Sequence, residues 1–304
     1  MNRSLLQIHT AVFLWGFTGI LGRIISLGAP LLVGYRMLFT CLILCLLLTA
    51  GRKWVRYERK DFLTVLGVGV LFAIHWFLFF QSIKLANASI AMLCLATASV
   101  FIAILQPLIR KTAFQAKEIT IGLIALAGVG CIYFIQPAEN TLSGMVDFQA
   151  GVIYGVLAAI LSAVFTIFNK PLSEKYPSQP TVFWEMLSGF VVICLTLAFT
   201  QPEMLQNLPV PHGQDLAALL FLAVFCTVIA QSLALKALKK LDAFTVTLSV
   251  NLEPIYGMIF AFLIFRENEQ LNWGAFLGIG LILASLVLQV YNHRRQSRRD
   301  MLKG

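Results

Sequence analysis

Apolar residues fill this chain in stretches of about twenty, each separated from the next by a short polar junction. A hydrocarbon core about 30 Å thick takes about 20 helical residues to cross. Hydropathy therefore predicts membrane helices near 4–26, 30–50, 62–84, 88–109, 118–135, 149–169, 180–200, 215–236, 243–265 and 272–291. A chain of 304 residues with 59% hydrophobic and 12% charged content suits no ordinary soluble domain. The predicted class is an all-α polytopic membrane protein with ten transmembrane helices.

The junctions alternate between basic and nearly cation-free. Of the 23 Lys and Arg, all but Arg23, Arg36, Lys84 and Arg266 fall in segments that share one side if the N-terminus is inside. Basic loops resist translocation, so this side is predicted to be cytoplasmic, with both termini there and residues 292–304 as a basic cytoplasmic tail. The outer segments 136–147 and 201–215 hold no Lys or Arg. The expected location is the cell (inner) membrane. A net charge of +9 is accounted for by anionic lipid at the inner surface and calls for no nucleic acid. The first apolar run is longer than a cleavable signal core and lacks an A-x-A site, so it reads as a retained span. All six cysteines lie inside predicted helices without a C-x-x-C pair, as small packing residues do.

The chain also repeats itself. Ser82-Ile83-Lys84-Leu85-Ala86-Asn87-Ala88 is echoed by Ala237-Leu238-Lys239-Lys240-Leu241-Asp242-Ala243 about 155 residues later. Pro30 before Tyr35-Arg36-Met37-Leu38 is echoed by Pro180 before Trp184-Glu185-Met186-Leu187. Two five-helix halves, 4–135 and 149–291, are predicted. Five is odd, so the second half enters the membrane upside down, and Lys84 and Lys239 fall on opposite sides. Inverted repeats are the architecture of many secondary transporters, with the substrate site near mid-membrane. Glycines at 16, 19 and 22, at 67 and 69, and at 274, 278 and 280 are predicted to let helices approach closely.

Trp15-Gly16, Pro30…Arg36, the Ser82-Ile83-Lys84…Ala88-Ser89 hinge and Leu252-Glu253-Pro254-Ile255-Tyr256…Arg266-Glu267 followed by Gly274…Gly278…Gly280 resemble the EamA-type branch of the drug/metabolite transporter superfamily. The resemblance covers nearly the whole chain and implies ten helices in two inverted repeats and export or exchange of small metabolites, amino acids first. Sugars, nucleosides, purines and drugs stay open. The first half has Ser99 where the second has Pro254, and Thr112 where the second has Glu267, which predicts a straighter fourth helix in the first half.

Polar groups inside hydrocarbon are costly, so each is a candidate for function. Glu253 is predicted near mid-membrane, beside a proline that cannot donate to Val250 and would kink the helix. Ser249, Glu253, Tyr256 and Phe260 share one face of the ninth helix. His75 and Phe79, four residues apart, can meet one solute together. Trp15, Thr97, Phe101 and Trp184 complete the predicted cavity walls. Arg36 is predicted about 9 Å below the outer surface, from 1.5 Å per residue past Pro30, to snorkel outward or bind helix-end carbonyls. Glu185, its counterpart, is predicted too deep on the other side for a salt bridge with it. Asn169, predicted near a helix end, can cap it, and Gln231 adds a second amide.

The histidines are scattered without metal-ligand spacing, and no catalytic or nucleotide motif is present, so neither enzyme, metal nor cofactor is expected. The predicted partners are a small-molecule solute and membrane lipids. Proton coupling through Glu253 stays open, as do oligomeric state and the alternatives of a membrane sensor or assembly factor. Topology gives the first prediction. In a cysteine-free background, Ser143→Cys and Asn207→Cys label with an impermeant thiol reagent outside intact cells, whereas Ser297→Cys does not; labelling of the last overturns the orientation.

Overall fold

The structure, a computed structural model, describes residues 3–135, 146–241, 249–271 and 273–301. Among these, every regular element is helical. The helices are α1 (Arg3–Ile24), α2 (Ala29–Ala50), α3 (Arg59–Leu85), α4 (Ala88–Leu95), α5 (Ala98–Arg110), α6 (Ala116–Ile135), α7 (Phe148–Lys175), α8 (Ser178–Thr200), the short α9 (Pro202–Gln206), α10 (Gly213–Ala223), α11 (Ala230–Lys240), α12 (Glu253–Phe265) and α13 (Trp273–Met301). A π-helical turn, Val224–Ile229, joins α10 to α11, and a 3-10 turn, Glu267–Gln270, follows α12. Nine helical segments among the described residues are long and apolar enough to cross a membrane, α4–α5 and α10–α11 each counting as one. The tenth predicted span, 243–265, begins outside the described residues and appears as the 13-residue α12. Phe134, Phe199 and Leu263 expose 82%, 83% and 76% of their surface, as side chains facing lipid would.

Helix ends are closed by the residues expected to do so. Asn87 accepts from the Ile90 amide at 2.9 Å and Asp147 from the Ala150 amide at 3.0 Å, each satisfying a first-turn donor. Pro30 sits in the first turn of α2, where its missing N–H costs nothing.

Two helices are interrupted at equivalent places. Between α4 and α5, the Thr97 amide bonds to Cys94 O at 3.0 Å, three residues back. Between Ser249 and α12, the Leu252 amide bonds to Ser249 O at 3.0 Å in the same pattern. Cys94 and Ser249 are related by the 155-residue offset. So are Lys111 (φ 55°) and Arg266 (φ 54°), the left-handed residues that end α5 and α12. The expected straighter helix in the first half is thus overturned. Without a proline, the break is made by Thr97, whose hydroxyl donates to Cys94 O at 2.6 Å. The expected kink at Pro254 is likewise corrected: the helix is broken at Asn251–Leu252, and Pro254 stands in the first turn of α12.

The predicted glycine contacts divide. A Cβ on Gly69 would overlap the Glu185 backbone and the Ser188 hydroxyl, so α3 and α8 meet there backbone to backbone. Gly278 and Gly128 bring α13 against α6 in the same way. Gly67 and Gly280, by contrast, face open space and carry no close approach. Gly69→Ala is expected to destabilise the protein by about 1–3 kcal/mol, as overpacking does, with Gly67→Ala neutral. Thermal unfolding in detergent checks the pair; equal midpoints would show that α3 and α8 do not pack this tightly.

Candidate functional site

A cavity of about 540 Å³ lies between the two interruptions. Its apolar wall comes from α3 (Phe72, Trp76, Phe79), Phe165 of α7 and Trp15 of α1. The first break contributes Leu95, Ala96, Ala98 and Ser99, and the second contributes Val250, Asn251, Glu253 and Pro254. Interrupted backbone at membrane depth persists only where protein or a cavity covers it, and here both breaks line one cavity.

Three polar groups mark its interior. Arg36 is only 2% exposed; its Nε donates to Thr227 Oγ1 at 3.0 Å and its guanidinium lies 3.7 Å from the Trp76 ring centre. Its Nη1 is buried without a hydrogen-bond partner. Thr227 belongs to the π-helical turn, where its hydroxyl donates to Leu222 O at 2.9 Å, and Cys226 O in the same turn accepts from Trp15 Nε1 at 3.0 Å. The widened turn thereby orients both cation and indole; such turns concentrate at functional sites. Glu253 faces the cavity at the start of α12 and acts electrostatically on Arg36. No direct ion pair joins them among the described residues. His75 is 7% exposed, bonds through Nδ1 to Ala158 O at 2.8 Å, stacks with Phe79 at 6.3 Å and meets Phe165 edge-on at 5.2 Å.

Arg36 therefore corrects its expected outward snorkelling. Trp76 supplies a cation–π partner and Thr227 an acceptor, so the guanidinium is held in the interior rather than at the surface. Asn169 and Gln231 both line the cavity. Asn169 caps nothing, because α7 runs on to Lys175. Glu185 is fully buried, and neither of its side-chain oxygens has a hydrogen-bond partner. Arg36 and Glu185 form no ion pair among the described residues.

Other predicted wall residues lie elsewhere. Thr97 is spent on the helix break, and Phe101 lies outside the lining. Trp184 packs at the α2–α3 linker, 5.1 Å from Phe62 and 6.3 Å from Trp54. Tyr256 and Phe260 turn to α1, 5.7 Å and 5.8 Å from Phe13. Ser249 is buried and absent from the lining. The Asn251–Leu252 turn separates Ser249 from the face predicted for the ninth helix, whereas Glu253, Tyr256 and Phe260 remain on one continuous helix. Thr18, Phe72, Trp76 and Thr227 were missed. Trp76 and Phe72 neighbour His75 in an aromatic run and carried a signal, but nothing in Val224–Ile229 announces a π-helical turn.

The cavity opens at the end where the basic junctions lie, past exposed Arg110, Thr112 and Glu174. The opposite end is sealed. Glu267, fully buried, accepts from the Ser89 amide at 2.7 Å and the Ala88 amide at 3.2 Å, and pairs with Arg23. Arg23 also lies 4.6 Å from the Phe265 ring centre. Asp215 accepts from the Ser26 amide at 2.9 Å and from its hydroxyl, Lys84 donates to Ile25 O, and Tyr35 donates to Pro209 O at 3.1 Å.

Charge-assisted bonds of this kind contribute roughly 1.5–3 kcal/mol each. Removing the charge with Glu267→Gln is expected to raise access from the sealed end roughly tenfold or more. The readout is the reaction of Thr18→Cys with an impermeant thiol reagent applied from that side. Unchanged reactivity would mean that Glu267 does not hold the seal.

Comparison with known proteins agrees with this architecture. A solved crystal structure superposes with a TM-score of 0.67 at 17% identity, covering 97% of this chain and 99% of that one, a likeness of fold. An uncharacterized inner membrane transporter of Salmonella typhimurium, YicL, is 25% identical over 98% of both chains. An uncharacterized transporter of Archaeoglobus fulgidus is 26% identical over 79% of this chain and 77% of its own. The family model for EamA-like transporters matches twice, at residues 2–134 and 149–291. The chain belongs to the EamA-like transporter family, as a multi-pass, two-repeat membrane transporter.

Proposed function

We propose that this protein is a secondary transporter of the inner membrane that moves small amphipathic metabolites by alternating access between its two inverted repeats, 4–135 and 149–291. The observation that carries the reading is the cavity itself. It is walled by aromatics, placed between two helix breaks, furnished in its interior with an unpartnered guanidinium nitrogen of Arg36 and the carboxyl group of Glu253, and open at the end where Glu174 lies. Arg36 Nη1 is suited to a solute carboxylate, since guanidinium–carboxylate bonds are among the strong ones. Glu253 on the facing wall is suited to an ammonium group or a proton. Amino acids or related compounds satisfy both groups while their side chains meet Phe72, Trp76 and Phe79. Opening to the basic, cytoplasmic end favours loading there and release outside, which is efflux. The Salmonella relative's name supports the inner membrane as the location.

Purified protein in proteoliposomes, tested against labelled amino acids, organic cations, nucleosides and sugars, separates these substrates. The expected result is uptake of an amino acid or similar zwitterion. Glu253→Gln and Arg36→Gln each cut it about tenfold or more, the scale set by losing a charged hydrogen-bond partner. A proton-coupling role for Glu253 adds a second signature: the Gln variant loses pH dependence and uphill accumulation while retaining downhill exchange. Movement of no organic solute by the wild type would sink the transport reading. Wild-type behaviour of both variants would remove Arg36 and Glu253 from the site.

A further inference from the structure

A second concavity, also of about 540 Å³, lies at the basic end beside the first, and the two share Leu235 as a wall. Its rim carries Arg52 and Lys53 from the α2–α3 linker and Lys236 and Lys239 from the last turns of α11. Its remaining wall is the α7–α8 junction around Pro177, and exposed Trp54 stands at its edge.

What matters is that these four cations meet no acid among the described residues. Among the described residues, none of them forms an ion pair. The described acids at the start of α3 and the end of α7 are already engaged. Glu58 and Asp61 hold Lys175 at 2.9 and 2.6 Å, and Asp61 also accepts from Tyr176 Oη at 2.8 Å. Glu174 is paired with Lys170 at 2.9 Å. Four like charges from two separate elements converge on one hollow, and no described acid pairs with them. An anion there would lower their mutual repulsion. The floor, formed by Leu235, Val55 and Pro180, is apolar, and a Trp at the rim is the residue that sits at a membrane–water boundary.

We propose that this concavity binds a phosphate group, carried either by an acidic phospholipid or by a soluble phosphate ester. Bound there, the phosphate ties the α2–α3 linker of the first half to α11 of the second, across the wall of the main cavity. The site does not depend on the transport reading, because its test is binding alone.

The experiment titrates phosphatidylglycerol, and separately glycerol 3-phosphate, against purified full-length protein in phosphatidylcholine nanodiscs, with bound ligand counted by native mass spectrometry. Each cation near an anionic group is worth roughly a fivefold gain in affinity, so Arg52→Gln/Lys236→Gln/Lys239→Gln together should weaken binding about a hundredfold. A control with the same charge loss, Lys60→Gln/Lys111→Gln/Lys117→Gln, should bind within a fewfold of wild type. Binding of the lipid alone identifies a headgroup site, and binding of the soluble ester identifies a metabolite site. The proposal is overturned if neither ligand binds the wild type. Equal weakening by both triple variants overturns it as well, because that would mark a diffuse surface charge rather than a site. Both variants alter exposed side chains, and matching thermal midpoints verify that each is folded.

Discussion

Backbone amides and carbonyls in hydrocarbon have no water to turn to, and this constraint organises the whole molecule. It makes nearly every described residue helical, and it restricts where a helix can stop. Among the described residues the departures at membrane depth are few: the turn at Ala96–Thr97, the turn at Asn251–Leu252 and the π-helical turn at Val224–Ile229. The two turns border the cavity, and the π-helical turn presents its groups to Arg36 and Trp15 on the cavity wall. Each is repaired locally. Thr97 bonds back to Cys94 O, Thr227 to Leu222 O, and Pro254 has no amide to satisfy. The cavity and the irregular backbone therefore imply one another: one provides the polar surroundings that the other requires.

A buried guanidinium in such a place needs the same kind of account. Arg36 spends its Nε on Thr227 and its face on Trp76, with Phe80 on a further side at 5.8 Å. Those contacts fix its plane and leave Nη1 without a partner. The orientation is set by a side chain from the second half, in the π-helical turn, acting on a cation from the first. The polar centre of the cavity is thus shared between the halves, and relative movement of the halves would alter it.

Much of this was legible in the sequence. Lengths and hydropathies located the nine spans seen among the described residues, and the 155-residue echo matches the paired breaks at Cys94 and Ser249 and the left-handed residues Lys111 and Arg266. His75, Phe79, Glu253, Asn169 and Gln231 were singled out because each is polar or aromatic inside an apolar run, and all five line the cavity. The losses share a cause. Ser249 was placed by extending one helical register across the turn at Asn251–Leu252, and Tyr256, in register with Glu253, packs against Gly16 and Phe13 of α1 instead. Arg36 was placed by depth alone, whereas its direction depends on Trp76 and Thr227, distant in sequence. Trp184 and Phe101 show the general limit: an aromatic in a membrane helix finds packing partners on any side, so identity without orientation says little about the wall it faces.

The offset that relates the two breaks also shows where the halves part company. Lys111 and Arg266 end α5 and α12 in the same left-handed conformation, so the backbone at these two corners is alike. The next residue differs. Glu267 turns inward, takes the first two amides of α4 and binds Arg23, and so fastens α12, α4 and α1 into one closed corner. Thr112 at the equivalent corner is exposed at the cavity mouth and carries no charge. Repeated backbone gives both ends the same means of closing, but the charge that holds a closed corner is present at one of them. The corner fastened by Glu267 stands at the sealed end, and the corner that carries Thr112 stands at the open one.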